Sequence, residues 1–110
     1  MLHHLPPPIQ AYFRAANDGD VDGIVAAFTN DAVVRDEGEE HVGPDAIRAW
    51  ASRTTLAYRP VAEITSFEEA SGEVRVLATV SGTFPGSPAA LRYTLRPRDG
   101  RIAWWAATLP

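Results

Sequence analysis

Cysteine is absent from the 110 residues, which excludes disulfides, thiolate nucleophiles and sulfur-ligated metals. No apolar run approaches the roughly 20 residues of a membrane span, so no membrane partner is expected. The first ten residues, MLHHLPPPIQ, lack the charged start and long apolar stretch of a signal peptide. A cytoplasmic location is the expectation that follows. No basic run or stripe is present to neutralise phosphates, and the net charge is −4, so no nucleic-acid partner is expected. A glycine-rich phosphate loop is missing too; the eight glycines are scattered over turns and caps. What remains is 45% hydrophobic and 22% charged, an ordinary globular composition. The length suits one domain over residues 1–110 with a sizeable core.

Two patterns divide the chain. Prolines 6 to 8 fit only before or within a first helical turn, so a helix begins near Pro8. Ile9, Tyr12, Phe13 and Ala16 follow as one apolar stripe. Asn17-Asp18-Gly19 ends it, and Asp20 caps a second helix carrying Val21, Ile24, Val25 and Phe28. Ala32 to Asp36 reads as a strand, with a turn at Glu37-Gly38-Glu39 and a short return through His41 and Val42. Gly43-Pro44-Asp45 opens a third helix with Ile47, Trp50, Ala51 and Thr54 on one side, ending near Tyr58.

From there the period falls to two. Val61–Glu69, Glu73–Phe84, Leu91–Arg98 and Arg101–Leu109 are strand candidates, and Asp99-Gly100 is a hairpin signal. The order predicts an α+β architecture, with helices packed on one face of a curved, largely antiparallel sheet. Such a sheet and three helices enclose a cone with an open end. Alternation places Ala32, Val34 and Asp36 on one face, Leu91, Tyr93 and Leu95 on another, and Trp104 opposite Trp105. Apolar residues on both faces of the last strand point to a second copy of the chain, a homodimer.

The residues Tyr12, Asn17-x-Gly19-Asp20-x-Asp22-Gly23-Ile24-Val25, Phe28, Asp31-Ala32 and Asp36, continued by Gly43 and Ala46-Ile47, form a recognisable pattern. It resembles the nuclear transport factor 2-like superfamily, specifically its ketosteroid isomerase and SnoaL-like branch. The likeness is good over the first half and rests on strand order in the second. It implies a cone of three N-terminal helices on a curved, mixed-order sheet, and a homodimer. It also implies chemistry without a cofactor. In ketosteroid isomerases a helix-one tyrosine donates to the developing enolate oxygen, and an aspartate after the first strand moves the proton. Tyr12 and Asp36 fall on those positions with their separation kept. The family's third group, a protonated carboxylic acid that also donates to the oxyanion, aligns with Tyr93. A tyrosine can still donate, but the departure counts against authentic steroid isomerisation.

Each of these residues also has a plain structural reading. Tyr12 is a pocket donor or a core tyrosine with a partner for its hydroxyl. Asp36 is a general base or a turn residue bonding the Glu37-Gly38 backbone. Tyr93 is a second donor or core. Phe13, Phe28, Val34, Trp50 and Trp104 serve as core and pocket lining together, and favour an apolar ligand. Arg35, Arg48, Glu39-Glu40 and Glu68-Glu69 read as solvated, and His41 as a surface turn histidine. His3 and His4, in an unstructured lead, match no metal spacing, so no metal is expected. Two functions remain. One is a cofactor-free isomerase, lyase or cyclase acting on a small apolar carbonyl compound of steroid-like or polyketide-like type. The other is a ligand-binding or dimerisation module using the same pocket without chemistry. Epoxide hydrolysis would require a second inward aspartate, which the pattern does not supply.

Overall fold

The structure is a computed structural model that describes residues 4–110; of the two lead histidines, His3 lies outside this range. Helix α1 spans Pro7–Asp18, with prolines in its first turn, where their missing N–H groups cost nothing. It stops at Gly19, whose left-handed φ of 69° returns its own N–H to Ala16 and that of Asp20 to Ala15. The lead is less free than its prolines suggest. Leu5 is buried in the core and its carbonyl accepts from Gln10 Nε2 at 2.6 Å.

Asp20 caps α2, Val21–Ala26, by accepting from the Gly23 N–H at 3.0 Å. This helix is only six residues long, and Phe28 is not on it. The chain turns at Ala27 and Phe28 opens strand β1, Phe28–Asp36, four residues ahead of the expected start. Strand β2, Glu39–Val42, returns antiparallel to β1. Helix α3, Gly43–Tyr58, then crosses back over the sheet and buries Ile47, Trp50 and Ala51. Strands β3 (Val61–Ala70), β4 (Glu73–Ser81), β5 (Ala89–Arg98) and β6 (Arg101–Thr108) complete the chain. Strand β4 ends at Ser81 rather than Phe84, because residues 82–88 leave the sheet for the end of α3. There Thr83 N–H donates to Tyr58 O at 2.8 Å and Thr83 Oγ1 to Ala57 O at 3.0 Å. Gly82 lies so close to the Tyr58 carbonyl that any Cβ would collide with it.

The six strands form one sheet in the order β2-β1-β6-β5-β4-β3. The expected antiparallel meander holds from β3 to β6, but β1 pairs with β6 in parallel. The sheet is therefore mixed, and one helix follows the first hairpin rather than all three preceding the strands. Register shifts occur in β1 between Phe28 and Val33, in β3 between Ile64 and Ser66, and in β6 between Ile102 and Trp104, opposite Arg96 and Pro97. Breaks of this kind bend strands, so the sheet curls around the helices. Val74, Val76, Ala78 and Val80 line its inner face, as alternation requires.

Asn17 joins the end of α1 to the start of β3. Its amide donates to Ala62 O at 3.0 Å and accepts from Ala62 N–H at 2.8 Å, as a neighbouring strand would. Each such bond contributes about 1 kcal/mol. Asn17→Asp keeps the acceptor but leaves the Ala62 carbonyl facing a carboxylate. It is expected to lower stability by about 1–3 kcal/mol in urea melts, and an unchanged midpoint would show that the bridge contributes nothing.

Candidate active site

Between α1, α3 and the inner face of β4–β6 lies a cavity of about 820 Å³, within the range of small-molecule sites. Its walls are mostly apolar; the Asp36 carboxyl and the groups around it form a polar end, while Thr54, Thr55, Tyr58 and Thr108 add further hydroxyls to the lining. Tyr12 enters from the buried stripe of α1, Asp36 from the last position of β1, Trp50 from α3, Tyr93 from β5 and Trp105 from β6. Tyr58, Phe84 and Leu109 close in on the opposite end, where Tyr58 and Phe84 meet edge to face with centroids 6.0 Å apart.

Asp36 is half-buried, and its Oδ2 accepts from the Trp50 indole N–H at 3.0 Å. Burial raises its carboxyl above the usual range; the Trp50 bond and nearby His41 pull it partly back. Tyr12 is 5% exposed. Its hydroxyl is pushed well above the ordinary tyrosine value, chiefly by burial and then by the neighbouring Tyr93 and Asp36, with the Trp105 indole beside it pulling it partly back. Tyr93 is raised for the same two reasons, burial first and the Asp36 charge second. Both phenols therefore stay protonated, and both remain donors across the neutral range. The rings touch edge to face: Tyr12 to Trp105 at 5.9 Å, Tyr93 to Trp105 at 5.5 Å and Trp50 to Trp105 at 4.9 Å.

The structure thus brings Tyr12, Asp36, Tyr93 and Trp50 together. Phe13, Phe28 and Val34 are fully buried behind the wall rather than on it; Phe13 and Phe28 support the Tyr12 ring at centroid distances of 5.0 and 5.9 Å. Trp104, expected on the wall, faces the other side of the sheet under the Arg96 guanidinium, 4.3 Å from its ring centroid. Its neighbour Trp105 takes the place in the cavity. His41 is not a plain surface residue either, because it stacks on Trp50 at 6.2 Å. Arg35 and Arg48 are exposed, paired with Glu40 and Asp22. His4 is exposed, and among the described residues no group of three or more His, Asp or Glu is placed to hold a metal ion. The donors at the polar end suit an acceptor oxygen on an apolar body.

A cone-shaped helix-and-sheet fold with a carboxylate and phenols at one end of an apolar cavity defines a class of small-molecule proteins. Comparison gives the family. Residues 9–105 match the SnoaL-like domain, and the chain belongs to that family. It is similar to a protein of Sinorhizobium meliloti provisionally called a polyketide cyclase, with 38% identity over 98% of this chain and 99% of that one, and a TM-score of 0.94. At 22% identity it shares its fold with a protein of Catenulispora acidiphila that has a ketosteroid isomerase-like fold and is in complex with trimethylamine, covering 94% and 85% of the two chains with a TM-score of 0.82. A protein of Xanthomonas campestris, also provisionally called a polyketide cyclase, shares the fold at 23% identity, with coverages of 91% and 85% and a TM-score of 0.77. No helix of the described residues is long and apolar enough to cross a membrane.

The raised Asp36 carboxyl carries a stability consequence. The folded state holds this proton more tightly than the unfolded chain, whose aspartates titrate near about 3.9. Its contribution to stability is therefore full in acid and is lost as pH rises from the unfolded towards the folded value. Asp36→Asn, which can still accept from Trp50, is expected to melt several degrees higher than wild type at pH 7. The gain should shrink towards zero near about pH 4. A lower melting temperature at pH 7 would show that the carboxylate is stabilised, not strained, in the fold.

Proposed function

We propose that the protein is a cofactor-free proton-transfer enzyme acting on a small apolar carbonyl compound. Asp36 is its general base, and Tyr12, aided by Tyr93, is the oxyanion donor. The observation that carries this reading is the half-buried Asp36 carboxylate held by Trp50 at the end of an apolar cavity that also presents two un-ionised phenols. A carboxylate desolvated in this way is a stronger base than one in water. Donors that cannot ionise stabilise a developing enolate without surrendering their own protons. In the step itself, the C–H electron pair α to the carbonyl becomes the enolate π bond as Asp36 takes the proton. Charge develops on the oxygen opposite Tyr12, and Asp36 returns the proton to carbon. An enolate that attacks a second carbonyl of the same molecule instead closes a ring: the C–C bond forms as that carbonyl's π pair moves to its oxygen, and the alkoxide takes back the proton from Asp36, so isomerisation and cyclase chemistry share these parts. The likeness to the Sinorhizobium meliloti protein favours a polyketide-like substrate over a steroid.

The elementary step can be read without knowing the substrate. In deuterated water, wild-type protein is expected to exchange the α-protons of cyclic ketones and β-diketones in an NMR assay. Asp36→Asn should lose at least about 10²-fold of the rate, and Tyr12→Phe about 10²–10³-fold. The rate should rise with pH through the raised Asp36 value, with its acid limb above the ordinary carboxylate range. Exchange that is equal in wild type and Asp36→Asn would reduce the cavity to a binding site.

The same reading includes a homodimer formed through the outer face of the sheet. Val42, Val33 and Trp104 lie side by side across β2, β1 and β6, with Val42 56% exposed. The chain is expected to elute as a dimer at micromolar concentration, and Val42→Glu to shift it towards monomer. A monomer in wild type would sink this element.

A further inference from the structure

Among the described residues, one buried side-chain nitrogen or oxygen has no hydrogen-bond partner, and it is Nε1 of Trp105. A desolvated N–H left unpaired is costly, and native structures leave few of them. Here the residue is 2% exposed, lines the cavity and sits at its polar end. Its ring contacts Tyr93, Tyr12 and Trp50. The contrast with Trp50 is direct, because that indole spends its N–H on Asp36 at 3.0 Å. The Trp105 N–H lies beside the Tyr12 hydroxyl without reaching hydrogen-bond geometry. It therefore stands next to the proposed oxyanion donor with its own donating capacity unused.

We propose that Trp105 Nε1–H is a second donor to the ligand oxygen, meeting the same carbonyl that Tyr12 meets. This rests on the reading that a carbonyl compound occupies the cavity, and it adds to that reading the group that shares the oxygen with Tyr12. An indole N–H donates but accepts nothing. Beside a protonated phenol it gives the site two donors that can converge on one acceptor oxygen. Such a donor also polarises an enolate oxygen without transferring a proton to it, so the charge stays available for bond formation at carbon. Asp36 is the half-buried acid of the polar end, with Glu37 exposed at the rim, and Trp105 supplies from β6 a donor that needs no ionisable group.

The test uses α-tetralone, a bicyclic ketone with one acceptor oxygen, and full-length protein carrying ¹⁵N in its tryptophan side chains. On titration, the Trp105 indole proton should move downfield and exchange more slowly with water, while that of Trp104 on the opposite face stays in place. The bound ketone's carbonyl stretch should fall below its value in water. Replacing Trp105 by its benzothienyl analogue keeps the shape and removes the N–H. It should weaken binding about tenfold and raise the carbonyl stretch, with an unchanged melting temperature excluding misfolding.

Ketone binding that leaves the Trp105 resonance unmoved, with equal affinity for the analogue, would overturn the proposal. So would a Trp105 resonance that responds to Tyr12→Phe in the free protein and not to ketone, since the indole would then serve Tyr12 alone. Failure of α-tetralone to bind up to its solubility limit would overturn it too. The two readings part cleanly: proton exchange absent with the Trp105 shift present removes the enzyme and keeps the donor, and the reverse removes only the donor.

Discussion

The bond from the Trp50 indole to the Asp36 carboxylate is the constraint on which the site depends. Asp36 ends β1, where the chain turns towards β2, and a carboxylate there would ordinarily swing into water. Trp50 prevents this from across the cavity, because α3 is pinned to the sheet by Ile47 and Ala51, both essentially inaccessible to solvent. The indole thus ties a strand end to a helix at 3.0 Å. It also supplies one hydrogen bond to a charge whose desolvation would otherwise force it to take up a proton. His41 stacks behind the same indole and so helps fix its plane. Remove Trp50 and both the position and the ionisation of Asp36 change together.

Much of this was legible in the sequence. The helical stripe fixed Tyr12 on the buried face of α1, and strand alternation put Asp36 on the same face as Ala32 and Val34. The reason is that a period of 3.6 or of 2 is a direct consequence of backbone geometry. The misses lie where periodicity carries no information. Val21, Ile24, Val25 and Phe28 keep helical spacing, yet Phe28 reaches the core equally well as the first residue of β1. The parallel pairing of β1 with β6 is a long-range choice that neither strand's own pattern records. Alternation sets Trp104 and Trp105 on opposite faces but does not say which is inside. That is settled by the register shift opposite Arg96 and Pro97, which nothing local announces. Trp50 was visible as an apolar residue but not as a donor, since its partner is 14 positions away on another element.

On the proposed reading, Tyr93 takes the place of an acidic donor, and this shifts the electrical balance of the cavity. A neutral carboxylic acid donor must be held protonated against a low intrinsic pKa, whereas a phenol or an indole begins protonated and needs no such device. Asp36 then acts on its neighbours in a useful direction, because its negative charge raises both phenols further. The carboxylate thereby opposes ionisation of both phenols as the solution becomes alkaline. An acidic third group would instead compete with Asp36 for the single proton the site handles.

With both phenols held in their protonated forms, Asp36 is, among the described residues, the one half-buried carboxyl on the cavity lining, and burial raises its proton affinity; Glu37 stands exposed at the rim. One such carboxyl means one proton in play. On the proposed reading, the proton taken from carbon has no second internal base to receive it, so it returns to the substrate, at the same or a neighbouring atom. Isomerisation and ring closure satisfy that inventory without net exchange of protons with solvent. The scarcity of ionisable groups in the cavity, more than the presence of any one of them, is what narrows the chemistry.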